Sequence, residues 1–136
     1  NDATFEAKQH NKQLQVSGSA AVTLNCDEAL IASALENLLR NAIKYAQHTI
    51  SLTLKRGDAI YIEICDDGPG VPNNQLSKLC EPFFRQSDAR DRVSGGTGLG
   101  LAIAKNAIIA HGGSLVLSNK PQGGLCAMVT LPIIKE

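Results

Sequence analysis

Four glycines fall within six positions, at Gly95, Gly96, Gly98 and Gly100, and run directly into the apolar segment Leu101-Ala102-Ile103-Ala104. No other stretch limits the possible folds of this chain as much. Glycine admits positive φ and leaves its N–H groups uncovered. The apolar run that follows, continued by Ala107, Ile108 and Ile109, reads as a helix ending at His111-Gly112-Gly113, where a glycine supplies the left-handed cap. A loop of bare amides opening a helix presents donors and the positive end of the dipole to one point in space, which suits an anion such as phosphate. A ligand-free surface loop has the same composition, and the loop alone does not choose between them.

The rest of the chain supplies a frame for that loop. Asp27 is a good N-cap, and Leu30, Ile31, Ala34, Leu35, Leu38, Ala42 and Ile43 recur at helical spacing, predicting a helix from about 27 to 46. Asn37, Asn41, Lys44 and Tyr45 form a neighbouring strip at i, i+4, i+7 and i+8. Asparagine is a mediocre helix former, so two of them one turn apart suggest a use. The Asn41 carboxamide oxygen suits a hard cation such as Mg²⁺, Lys44 a phosphate and Tyr45 a flat ring. A solvated polar face fits the same pattern.

Ile50, Leu52 and Leu54 alternate with polar residues. Arg56-Gly57-Asp58 turns the chain, and Ile60, Ile62 and Ile64 alternate again, predicting an antiparallel hairpin. Asp66 continues the apolar parity of that second strand, so alternation points its carboxylate inward, where it needs a donor. An adenine amino group would be one. Asp66-Asp67-Gly68-Pro69-Gly70-Val71-Pro72 then forces a turn. A short helix over 73–80, strands at 115–117 and 127–134, and a turn at Gln122-Gly123-Gly124 complete the chain. Near the N-terminus, 2–12 reads as a short helix, Leu14 and Val16 as a strand, and 22–24 as another.

Composition bounds the function classes. Thirteen basic and thirteen acidic residues balance over 136 positions, so there is no electrostatic footprint for nucleic acid or a lipid surface. No apolar run approaches the roughly 20 residues that span a bilayer. One domain of this length buries about two thirds of its unfolded surface. A chain that opens on Asn1 without an initiator Met reads as a piece of something longer. Cys26, Cys65, Cys80 and Cys126 are scattered without metal-ligand spacing, and each lies in or beside an apolar stretch. They read as buried, reduced thiols in cytosolic surroundings.

Four stretches in order resemble the ATP-binding catalytic domain of bacterial sensor histidine kinases, in the wider family shared with DNA gyrase and heat-shock chaperone ATPases. Glu36-Asn37-Leu38-Leu39-Arg40-Asn41-Ala42-Ile43-Lys44-Tyr45 resembles the asparagine box and Asp66-Asp67-Gly68-Pro69-Gly70 the first glycine box. Glu81-Pro82-Phe83-Phe84-Arg85 resembles the phenylalanine box, and Gly96-Thr97-Gly98-Leu99-Gly100-Leu101 the second glycine box. The segment Asp88-Ala89-Arg90-Asp91-Arg92 leading into Ser94 is similar to the lid of envelope-stress sensor kinases of the Cpx type.

The resemblance implies an α/β two-layer sandwich: a mixed, mostly antiparallel sheet with helices on one face and a mobile ATP lid, all as a single domain over 1–136. It implies ATP and Mg²⁺ as ligands. Asn41 would hold the metal, Lys44 and Arg85 would act on the phosphates, and Asn37 would lie beside them. Tyr45 would flank the adenine and Asp66 accept from its amino group, with Gly68, Gly70 and Val71 close to the ring. Arg90, Arg92 and the segment Gly96, Thr97, Gly98, Leu99, Gly100 and Leu101 would hold the triphosphate. The implied partners are a histidine-bearing dimerisation hairpin of the same full-length protein and a response regulator of a two-component system. The implied parent is a homodimer in the inner membrane with this domain in the cytoplasm. Two departures stand out. Hydrolytic relatives place a Glu four residues before the metal-binding Asn, where this chain has Asn37, whose amide is no base. The family's aromatic position in the last hairpin is taken by Leu125-Cys126-Ala127-Met128. None of His10, His48 or His111 sits in a phosphoacceptor motif, so this chain alone is expected to bind ATP without phosphorylating itself.

Overall fold

The computed structural model describes residues 12–18, 28–81 and 100–133. Its elements run β1 (Gln13–Ser17), α1 (Glu28–Tyr45), β2 (Thr49–Arg56), β3 (Ala59–Asp66), a 3-10 turn (Asn73–Lys78), α2 (Gly100–Ala110), β4 (Ser114–Asn119) and β5 (Leu125–Pro132). The expected helix at 2–12, the strand at 22–24 and the Asp27 cap lie wholly or largely outside the described residues.

The five strands form one sheet in the order β1-β2-β3-β5-β4. Only β1 and β2 are parallel; the other neighbours are antiparallel. The mixed, mostly antiparallel sandwich expected from the sequence is therefore the fold observed. Period-2 alternation decides which face each side chain takes. Ile60, Ile62 and Ile64 of β3 meet Val129 and Leu131 of β5 in a core with Ile50, all buried. Helix α1 covers that face with Ile31, Ala34, Leu38, Ala42 and Ile43, and α2 lies beside it through Ala104 and Ile108. The small side chains of Ala34 and Ala104, 1% and 0% exposed, belong to the same core and let backbone come close there. Leu30, Ile103 and Ile109 belong to the predicted apolar runs but stay exposed, because each lies at the margin of its helix's buried stripe.

Turn chemistry follows the glycines. Gly112 takes φ +78° and ends α2, as the glycine cap predicts, while the ring Nδ1 of His111 bonds the Ala107 carbonyl at 2.7 Å. Lys12 Nζ bonds the Ile43 carbonyl near the end of α1.

The cysteines are not all the reduced thiols expected from the sequence. Antiparallel register sets Cys65 of β3 directly opposite Cys126 of β5, and the two form a disulfide across 61 residues of sequence. Only Cys80 is a free thiol among the described residues, and burial pushes its pKa up. Register is a tertiary property, so sequence spacing could not reveal the pair.

Two consecutive residues test the helix–sheet packing. Ile108 is 1% exposed and Ile109 53%. Ile108→Ala should destabilise the fold by about 2–5 kcal/mol, while Ile109→Ala stays within about 0.5 kcal/mol, as read by urea denaturation midpoints at a common slope.

Candidate nucleotide site

Strand β3 carries its inward parity two residues past Ile64, its last apolar side chain in the core, and that residue is Asp66. It is 3% exposed, the only charged side chain in the interior among the described residues. A carboxylate there needs donors. The Gly68 amide donates to Asp66 Oδ1 at 2.8 Å and the Leu125 amide donates to the same oxygen at 3.3 Å. Among the described residues nothing bonds Oδ2, which leaves one acceptor for a ligand. Burial raises the pKa of Asp66 above the usual carboxylate value; the two amides and Lys120 pull it back, and Asp67 adds to the rise.

Its neighbour Asp67 does different work. Its carboxylate accepts from the Gln47 amide at 2.7 Å and the His48 amide at 3.0 Å, tying the exit of β3 to the α1–β2 connection. Partial burial pulls its pKa upward, but the amides of His48, Thr49 and Gln47 outweigh that and hold it below the usual value. The acidic pair is thus one buried acceptor and one turn brace.

The loop after β3 is packed backbone to backbone. A Cβ on Gly68 would lie 2.2 Å from the Tyr45 carbonyl oxygen, which brings the end of α1 against the loop. Gly70 has φ +73°, and a Cβ there would lie 2.7 Å from Asn119 Oδ1. The glycines are therefore required by the protein's own packing, whatever ring approaches them. From the other side, Gly124 takes φ +108°, and a Cβ there would lie 2.1 Å from the Asp66 carbonyl.

Asn119, at the end of β4, was not singled out in the sequence. Its Oδ1 accepts from the Val71 amide at 3.0 Å, and its Nδ2 donates to the Val71 carbonyl at 2.6 Å and to Asn73 Oδ1 at 2.9 Å. These bonds reach across 46 to 48 residues, so only its Asn-before-turn setting could have hinted at them. Val71 itself is buried with Leu79 and Leu125 in a second small cluster, which Leu101 and Leu117 join to the main core. Leu125 thus packs in the last hairpin, within the segment Leu125-Cys126-Ala127-Met128 that stands at the family's aromatic position.

The helical strip meets this loop from α1. Asn37, Asn41, Lys44 and Tyr45 are all half-buried. Among the described residues neither the Asn37 nor the Asn41 carboxamide makes a hydrogen bond. Lys44 Nζ lies 5.0 Å from the centre of the Tyr45 ring, a cation–π distance. A Cβ on Gly100 would lie 3.8 Å from Asn37 Oδ1, so the N-terminus of α2 opens beside the asparagine strip. Asn37, Gly100 and Leu101 come together on one side, and Tyr45, Asp66, Gly68, Gly70 and Val71 on the other. Arg85, Arg90, Arg92, Gly96, Thr97, Gly98 and Leu99 lie outside the described residues.

A buried acceptor, two carboxamides without a partner among the described residues and a helix N-terminus form a donor–acceptor set suited to a nucleotide. The sequence profile of the histidine kinase-, DNA gyrase B- and HSP90-like ATPases matches residues 26–135. The chain belongs to this ATPase family. Within it, the sensor histidine kinase CpxA of Escherichia coli K12 is 41% identical over 137 residues, 99% of this chain and 30% of that protein. The histidine-protein kinase BaeS of the same strain is 35% identical over 91% of this chain and 27% of its own length. The mycobacterial sensor histidine kinase MprB superposes with a TM-score of 0.81 at 27% identity, covering 97% of this chain and 91% of that structure. This ATPase-family chain thus has the catalytic-domain fold of sensor histidine kinases and spans about 30% of the length of the first curated relatives. Among its described residues no helix is long and apolar enough to cross a membrane.

The two carboxylates make opposite pH predictions. Asp67, with its lowered pKa, contributes stability above the unfolded value of 3.8 that is lost as pH falls through its folded pKa. Asp66, with its raised pKa, favours the fold below 3.8 and loses that contribution as pH rises through its folded pKa. Urea midpoints followed from about pH 7 down to about pH 3 should show Asp67→Asn less stable than wild type at neutral pH, with the gap closing in acid. Relative to Asp66→Asn, wild type should instead gain stability on acidification.

Proposed function

We propose that this chain is a single ATP-binding catalytic domain which, inside a longer protein, places the γ-phosphate of ATP for transfer to a histidine on a separate helical hairpin. The observation that carries the reading is Asp66. Two backbone amides hold one carboxylate oxygen of this buried residue, and the other is left to accept from a ligand amino group. Adenine offers such a donor in the plane of a flat ring, and Tyr45 would flank that ring.

In this reading Lys44, Arg85 and Arg90 or Arg92 neutralise the phosphates, and the amides from Gly96 to Gly100 hold them at the N-terminus of α2. Asn37 and Asn41 present carboxamides to the same place, and Asn41 would hold Mg²⁺. The metal would supply charge neutralisation along the phosphates. The attacking imidazole nitrogen comes from the partner hairpin and ADP leaves, so the domain's task is positioning and electrostatics. Asn37 cannot deprotonate water, which favours transfer over hydrolysis. The similarity to CpxA and BaeS, with this chain covering under a third of each, supports a larger homodimeric sensor. That sensor would sit in the inner membrane with this domain on the cytoplasmic side, and would feed a response regulator.

Calorimetric titration with a non-hydrolysable ATP analogue tests this reading. One saturable site strengthened by Mg²⁺ is expected. Asp66→Asn turns the Oδ2 acceptor into a donor facing a donor and should weaken binding roughly 5- to 150-fold, with circular dichroism unchanged. Asn41→Asp should abolish the Mg²⁺-dependent part. Unaltered affinity in both variants would sink the assignment. Wild-type chain alone should show ATP turnover no higher than background, and steady hydrolysis would overturn transfer in favour of a hydrolytic ATPase.

A further inference from the structure

We propose that Cys65 and Cys126 are a reversible dithiol/disulfide site whose substrate is a low-molecular-weight disulfide, and that closing it tightens nucleotide binding through Asp66. The second half of this rests on the reading of Asp66 as the adenine acceptor.

The pair sits on the sheet face opposite the helices, because Ile60, Ile62 and Ile64 take the core parity of β3 and Cys65 takes the other. Ser51, Cys65, Cys126 and Ser118 stand in one row across β2, β3, β5 and β4. Small serine side chains therefore flank the sulfurs on both sides. Cys65 and Cys126 are 5% and 8% exposed, so a small disulfide reaches their sulfurs only when this end of the sheet opens.

The position couples the pair to the site. Cys65–Cys126 is the last register pair before β3 leaves for the Asp66–Val71 loop. With Cα atoms 4.1 Å apart, it is of the closely spaced antiparallel type whose two residues share no backbone hydrogen bond, so the disulfide adds a covalent link at the one pair that the ladder leaves unbonded at this strand end. Asp66 follows Cys65 and Leu125 precedes Cys126, and the Leu125 amide is one of the two donors on Asp66 Oδ1. The disulfide thus holds donor and acceptor in register one residue from itself. Opening it lets that end of the sheet fray and loosens the brace on the carboxylate.

Closure proceeds by two exchanges. The Cys65 thiolate attacks one sulfur of the small disulfide, breaking its S–S bond and expelling one half as a thiolate. The Cys126 thiolate then attacks Cys65 Sγ, forming the protein disulfide and expelling the other half. Two electrons pass from the protein dithiol to the oxidant, and the two thiol protons end on the two released thiols.

The test equilibrates the chain in glutathione buffers stripped of metals other than Mg²⁺, because Glu63, Cys65 and Cys126 have ligand atoms within 4.8 Å of one another and could hold a soft metal when reduced. The disulfide fraction is read by alkylation and mass spectrometry, with and without saturating ATP analogue. The oxidised chain should bind the analogue about fivefold more tightly. By reciprocity the analogue should favour the disulfide by the same factor, about 20 mV for this two-electron couple. Cys65→Ser and Cys126→Ser, both checked for folding by circular dichroism, should bind like the reduced chain in every buffer. In ¹⁵N spectra recorded without nucleotide, the Gly68 and Leu125 amides should shift on reduction. Failure to form the disulfide in any buffer overturns the site. Binding of equal strength in both redox states overturns the coupling alone. Absence of binding in either state sinks the adenine reading, and the two amide signals then decide by themselves whether the disulfide reaches Asp66.

Discussion

A carboxylate held inside the sheet by two backbone amides is the interaction on which the architecture of the site depends. Asp66 ends the central strand, and its Oδ1 is shared by amides from its own loop and from β5, 59 residues away in sequence for the farther one. Burying a charge is costly unless its lone pairs are met. That requirement brings the Gly68 turn and the start of β5 to one point. Everything nearby is arranged so that backbone can come that close. Gly68 passes the Tyr45 carbonyl, and Gly124 passes the carbonyl of Asp66 itself.

Around this point the loop is held from three directions. Asp67 ties it to the α1–β2 connection through the amides of Gln47 and His48. Asn119 grips Val71 by both its amide and its carbonyl, in the manner of a strand partner supplied by a side chain. Val71, Leu79 and Leu125 pack beneath it. Positioning of this kind is what phosphoryl transfer asks of a protein, since the chemistry needs geometry and charge more than a protein nucleophile. The proposed adenine contact therefore rests on rigid elements, while the proposed phosphate contacts rest on the helix opening at Gly100.

The disulfide places a second constraint at the same strand end, on the opposite face. A sheet transmits a change of register or fraying along its backbone, and the two sides of one strand cannot move independently. Asp66 faces the helices and Cys65 faces away, yet they share one peptide unit. A redox event on the opposite face is thus communicated to the proposed nucleotide face without any side chain passing between them.

Local periodicity carried much of this protein. The alternation of Ile50 to Ile64 predicts the hairpin, the spacing of Ile31 to Ile43 predicts α1, and the continuation of β3 parity predicts that Asp66 is buried. Those inferences hold because side-chain direction is set by the backbone of each element alone. Contacts between distant segments were decided only by tertiary structure. Cys65 meets Cys126, Asn119 grips Val71 and Gly124 closes over Asp66 because the strand order β1-β2-β3-β5-β4 and its register bring them together. Composition hid the disulfide for the same reason, since burial beside apolar residues looks alike for a free thiol and a paired one. What a residue faces within its own element is written in its neighbours' spacing; what it touches across the fold depends on how the elements pack.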